Sequence, residues 1–192
     1  MTAKDIMKIC EGESIANIDE FVTKMKREDA HNLGIAKKLY VVYFLGTFLY
    51  GGLFVLSIMA GDGFWKAFSW FLFTLAFVVC AVVFRMSKTL YNRVDYSVSV
   101  IEMLRQARFR YRFWQPMVWL ALLGVLLVDI GASINMSFHM EMGWSMWTNI
   151  GVINLFLVPL FLGAFFFGWR KWKKRSKPIY DYASEVLKDA EQ

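Results

Sequence analysis

Four stretches of about twenty residues each carry almost no charge, and they constrain the fold more than anything else in the chain. They cover residues 39–60, 64–84, 117–138 and 150–169. At a rise of ~1.5 Å per residue, each is long enough to cross a hydrocarbon core of ~30 Å as an α-helix. Barrel strands would alternate in polarity over about ten residues, whereas these blocks are solidly apolar. With 57% apolar and 20% charged residues overall, the chain departs from soluble globular and disordered compositions alike. The expected fold is all-α: an integral membrane protein with a four-transmembrane-helix bundle made of two helical hairpins, plus cytosolic helical extensions.

The basic residues orient these spans. Seven Lys or Arg precede the first block, seven lie between the second and third, and seven follow the fourth. The two remaining connections hold only Lys66 between them. The positive-inside rule therefore predicts that both termini and the central segment are cytoplasmic. Phe64, Trp65, Trp144 and Trp147 would mark the outer interface, and Tyr40, Trp114, Trp169 and Trp172 the inner one. The net charge of +6 reads first as topology. No leader peptide is expected, because residues 1–37 are polar and include seven acidic residues. A bacterial inner membrane is the expected location.

Five segments follow. Residues 1–37 form a cytosolic amphipathic segment, with a helix over 14–27 capped by Asn17 and Glu20. Residues 38–86 form the first hairpin, reversed by Gly61-Asp62-Gly63. Residues 87–115 form a cytosolic helix continuing out of the second span, with an apolar stripe of Leu90, Val94, Val98, Ile101 and Leu104. Residues 116–170 form the second hairpin, opened by Pro116. Residues 171–192 form a basic tail with a short helix anchored by Val186 and Leu187. A weak echo links the cytosolic pieces. Lys88-Thr-Leu-Tyr91 and Lys177-Pro-Ile-Tyr180 are each followed by a Glu-x-Leu-basic run, at 102–105 and 185–188. Chance similarity explains it at least as well as duplication.

Asp129 is the one ionisable residue deep inside a span. A charge there costs ~2.5–3.5 kcal/mol even on lenient insertion scales, so it should face other helices. Its level matches Tyr50 and Thr74, and a buried polar cluster of Asp129, Tyr50, Thr74, Ser133 and Asn154 is expected. Packing is the favoured role, with proton or ion coupling in a small transporter or channel subunit as the alternative. Small residues, among them Ala121, Gly124, Ala132, Gly46, Gly51, Gly52, Gly151 and Gly163, are read as close-packing positions within the chain or in a homo-oligomer.

Two other groups stand out. Arg108, Arg110 and Arg112 alternate with rings, and Arg170, Lys171, Lys173, Lys174 and Arg175 follow the fourth span. Both sets are expected to meet anionic lipid headgroups rather than nucleic acid. His139, Met140, Met142 and Met146 crowd one outer loop, where soft donors suit Cu(I), although methionine as flexible filler is the favoured reading. No metal site and no cofactor are expected.

No catalytic motif is present, and the two histidines fall on opposite sides of the predicted membrane. Cys10 and Cys80 should be similarly separated, so no disulfide is expected. The expected function is that of a non-enzymatic multi-pass membrane protein. It would be an interaction or regulatory component whose cytosolic helices engage a protein partner or each other.

Overall fold

A computed structural model describes residues 3–139 and 145–190, with side chains over 20–137 and 145–189. Six α-helices account for nearly all of it: α1 Ala3–Met59, α2 Phe64–Asn92, α3 Val100–Tyr111, α4 Pro116–His139, α5 Met146–Arg175 and α6 Lys177–Ala190. Among the described residues there is no strand. Four of the helices, α1, α2, α4 and α5, are long and apolar enough to cross a membrane.

α1 is one helix of 57 residues, about 85 Å long at the usual rise. The separate helix expected over 14–27 is therefore corrected, and Asn17 lies inside a helix rather than at its cap. The physical reason is that residues 28–38 contain nothing to stop a helix. No proline occurs before Pro116, and Gly34 is the lone glycine between Gly12 and Gly46. Once formed, a helix extends at the cost of fixing one residue per hydrogen bond gained. α1 ends where glycine permits a left-handed backbone, at Gly61 (φ 69°) and Gly63 (φ 86°). Asp62 N–H closes the turn onto Ser57 O at 3.1 Å, and the Asp62 carboxylate meets Lys66 Nζ at 2.9 Å.

The second correction concerns residues 87–113. α2 stops at Asn92, and residues 93–99 turn before α3 begins. Two local devices break the helix. Asp95 Oδ1 accepts from Ser97 N and Oγ at 2.8 and 2.6 Å, and Ser99 Oγ caps α3 by accepting from Glu102 N. With the register reset, Ile101 becomes exposed, and Met103, Leu104 and Ala107 form the buried stripe.

The four long helices pack on one another as a row, in chain order. α1 packs on α2, α2 on α4, and α4 on α5, while α1 and α5 share at most marginal contact. The row is tight at two seams. Between α1 and α2, Gly46 lies directly under the Phe77 ring, which is flanked by Tyr43 and Tyr50 at centroid distances of 5.6 and 4.6 Å. Between α2 and α4, a Cβ at Gly124 would sit 3.0 Å from Cys80 Sγ, and one at Gly131 would sit 3.3 Å from Leu72 Cβ. By contrast Gly52, Gly151 and Gly163 have open space beside them. These three do not serve packing within the chain.

At the end of the row that holds the N-terminal half of α1, that half meets α3 and α6. Phe21 and Met25 from α1, Leu104 and Ala107 from α3, and Ile179, Ala183 and Leu187 from α6 form one apolar core. Spacing of four residues puts Ile179, Ala183 and Leu187 on a single face of α6. That face displaces Val186 from its expected role as principal anchor, leaving it partly buried at the edge. Leu104 and Leu187, equivalent positions in the sequence echo, both enter this core.

Candidate functional site

The densest polar arrangement lies in this three-helix head, around a residue the sequence did not single out. Asp29 of α1 is 3% exposed and Arg110 of α3 is 4% exposed. Their ion pair spans 3.2 Å from Nη2 to Oδ2. Tyr96 Oη donates to Asp29 Oδ2 at 2.8 Å, and Tyr111 Oη donates to Oδ1 at 2.5 Å. The carboxylate thus accepts from three donors on two separate segments. Taking both charges out of water costs several kcal/mol per ion, and only full pairing makes such a site tolerable. Arg110 Nη2 also approaches Met25 Sδ at 3.6 Å, while its Nε has no partner.

The surroundings extend the network. Trp172 Nε1 donates to Tyr111 O at 2.9 Å, tying the end of α5 to the end of α3. Gln115 Nε2 donates to Arg110 O. Glu28, next to Asp29, lies 3.9 Å from Arg175. Four stretches of chain are therefore referenced to one buried carboxylate.

This environment keeps the nearby phenols protonated. Burial first, and then the Asp29 carboxylate, push Tyr91 up to about 12. The same causes raise Tyr96 and Tyr111 further above the ordinary tyrosine value. A group whose folded pKa is raised stabilises the fold fully below its unfolded pKa of ~10, and that stability is lost as pH rises toward the folded value. The head should hold to about pH 10 and loosen above it. Phenolate absorbance at pH 11 should show about two to three fewer ionised tyrosines in the folded protein than in the unfolded chain. Full ionisation of all eight tyrosines while the helices persist would contradict this.

The predicted cluster in the spans is only partly assembled. Asn154 Nδ2 of α5 donates to Ser133 Oγ of α4 at 3.1 Å. Asp129 sits one turn before Ser133, and its buried Oδ1 has no hydrogen-bond partner. Tyr50 is taken up in ring contacts with Trp70, Phe73 and Phe77, and Thr74 bonds back to Trp70 O at 2.9 Å. Neither reaches Asp129. A further polar bridge between the long helices runs from Asn135 Nδ2 to Ser69 Oγ at 3.0 Å.

The basic residues divide. Arg110 is buried on Asp29, so its expected place among lipid headgroups is corrected. Its position on α3 follows the buried stripe, not the Arg-ring alternation. Arg108 and Arg112 are exposed, as are Arg170, Lys171, Lys173 and Lys174. Arg170 lies over the Phe166 ring at 5.7 Å and Lys173 over Trp169 at 5.5 Å. Arg175 is also exposed, with Glu28 as a loose partner.

The methionine-rich segment expected to offer soft donors falls largely outside the described residues. Met140, Met142 and Trp144, and the His139 side chain, lie outside the described residues, and Met146 is exposed. Among the described residues no cluster of His, Cys, Asp and Glu could hold a metal ion. Cys80 is a free thiol.

No protein-family model matches the chain, and neither a curated protein nor a solved structure matches it.

Proposed function

We propose that the chain is a non-enzymatic multi-pass membrane protein with both termini in the cytoplasm, whose cytosolic head is its working part. The observation that supports this is the desolvated Asp29–Arg110 pair with its two tyrosine donors. A buried polar network fixes one arrangement of the segments it joins, at the expense of stability that an apolar core would supply. Such a network suits a head that must present a defined surface. The apolar stripes of α1, α3 and α6 are spent on each other, so a partner would meet the outer, basic surface of α3 and the end of α5.

Orientation is the first test. In intact cells an impermeant maleimide should label Ser145→Cys and leave Ser97→Cys untouched, in a Cys80→Ser, Cys10→Ser background. Labelling of Ser97→Cys would reverse the map and overturn the assignment of the head to the cytoplasm.

One observation favours a second reading. The unpartnered Oδ1 of Asp129 is what a coupling carboxylate in a transport path would show. Complementation of a deletion strain separates the two. If the head is the working part, Asp29→Ala abolishes complementation and Asp129→Asn retains it. Loss in Asp129→Asn with a normally folded chain would favour transport instead.

A further inference from the structure

A cleft of about 920 Å³ lies where the last turns of α2, α3 and the start of α4 meet. Its walls have two characters. Val82, Met86, Leu90, Phe109 and Met117 make it apolar, and Arg85, Arg93 and Arg105 bring in positive charge. No acidic residue lines it. A fourth arginine on its wall, Arg110, is already neutralised by Asp29.

The other three are not neutralised in that way. Among the described residues, neither Arg85 nor Arg93 has an ion pair. Arg105 has only an exposed partner one turn away on its own helix, Glu102 at 3.5 Å, a kind of pair worth little in water. Three arginines line one apolar cleft that has no acidic residue on its wall, so an anion seated there would meet positive charge alone. Val82, Arg85, Met86 and Thr89 recur along one face of α2, and Arg93 follows at its C-cap. Along that face the wall changes from aliphatic to cationic where the apolar block ends.

We propose that this cleft binds one anionic phospholipid. Its phosphate is held by Arg85, Arg93 and Arg105, and an acyl chain lies along Val82, Met86 and Met117. Guanidinium groups suit phosphate because they donate two parallel hydrogen bonds and remain charged. A soluble anion would satisfy the arginines and leave the apolar wall wet. Met86 and Phe109, 41% and 63% exposed, are the side chains that a lipid tail would cover. On the far side of Phe109 a second cleft of about 450 Å³ is lined by Arg105, Arg108 and Arg112.

The proposal rests on the membrane reading above, and the test keeps the two apart. The purified full-length chain in neutral detergent is titrated with dioleoyl phosphatidylglycerol or dioleoyl phosphatidylcholine, and bound lipid is counted by native mass spectrometry. One phosphatidylglycerol per chain should be retained, with phosphatidylcholine not retained. Arg85→Gln/Arg93→Gln should weaken binding by about tenfold or more, at roughly 1 kcal/mol per basic residue. Met86→Trp, which fills the acyl wall without changing charge, should weaken it as well. Lys173→Gln/Lys174→Gln should not. Equal retention of both lipids, an unchanged Arg85→Gln/Arg93→Gln variant, or displacement by millimolar inorganic phosphate would overturn the proposal. Carbonate extraction of the same wild-type chain from cell membranes tests the underlying reading. A chain that resists extraction yet holds no phosphatidylglycerol defeats the lipid site alone, and a chain that is extracted defeats both.

Discussion

An Asp29→Ala chain should lose about 3–5 kcal/mol of head stability, the usual cost of leaving one member of a buried ion pair without the other. Arg110 would then be a charge at 4% exposure, with Met25 Sδ as its one remaining side-chain partner. Tyr96 and Tyr111 would lose their acceptor at the same time. Domains of this size are marginally stable, so such a loss is enough to open the head while the apolar helices persist. Hydrogen exchange should report it as lost protection in α3 and α6 with little change in α2 and α4. The companion Asp29→Ala/Arg110→Met should recover most of the protection, because it removes the stranded charge and leaves apolar volume. If the single variant exchanged like the wild type, the pair would not be holding the head together.

Gly46→Val should be the most damaging single change within the α1–α2 seam. Its Cβ would clash with the edge of the Phe77 ring, and that ring cannot swing aside freely, because Tyr43 and Tyr50 flank it. Overpacking of this kind costs about 1–3 kcal/mol, occasionally more. Gly52→Val, six residues on and facing open space, is the matched control and should be close to neutral for packing. A midpoint of thermal unfolding in detergent, read for both variants, decides the matter. Equal midpoints would mean that the seam is looser than its geometry.

The positions of the four apolar helices were legible because charge depletion over twenty residues is a signal no local detail can hide. The turn at Gly61–Gly63 was legible too, since two glycines around Asp62 supply the left-handed backbone that a tight reversal needs. The continuity of α1 was not. The amphipathic periodicity of 14–27 and the uniform apolarity of 39–60 look like two objects, and the run between them contains neither a cap nor a breaker. The break at 93–99 was missed although a signal was present. Ser99 and Glu102 form the S-x-x-E pattern of a helix start, and Asp95 and Ser97 form a side-chain turn just before it. Asp29 stayed hidden among seven acidic residues of a polar segment. A lone carboxylate becomes special only when α3 folds back on it, and nothing local to residue 29 records that. Asp129 is legible as a costly residue, whereas only depth pairs it with Tyr50 and Thr74. Depth does not fix which face of a helix a side chain takes.

The uninterrupted α1 has a mechanical meaning. Phe21, Met25 and Asp29 grip α3 and α6 at one end of a rod whose other end carries Tyr43, Gly46 and Tyr50 against α2. With no joint between Asp29 and Tyr43, the azimuth of one grip dictates that of the other. A single residue inserted in 30–38 would swing the near grip by about 100° relative to the far one. The head and the spans are thus geared together, and torque applied to either is delivered to the other.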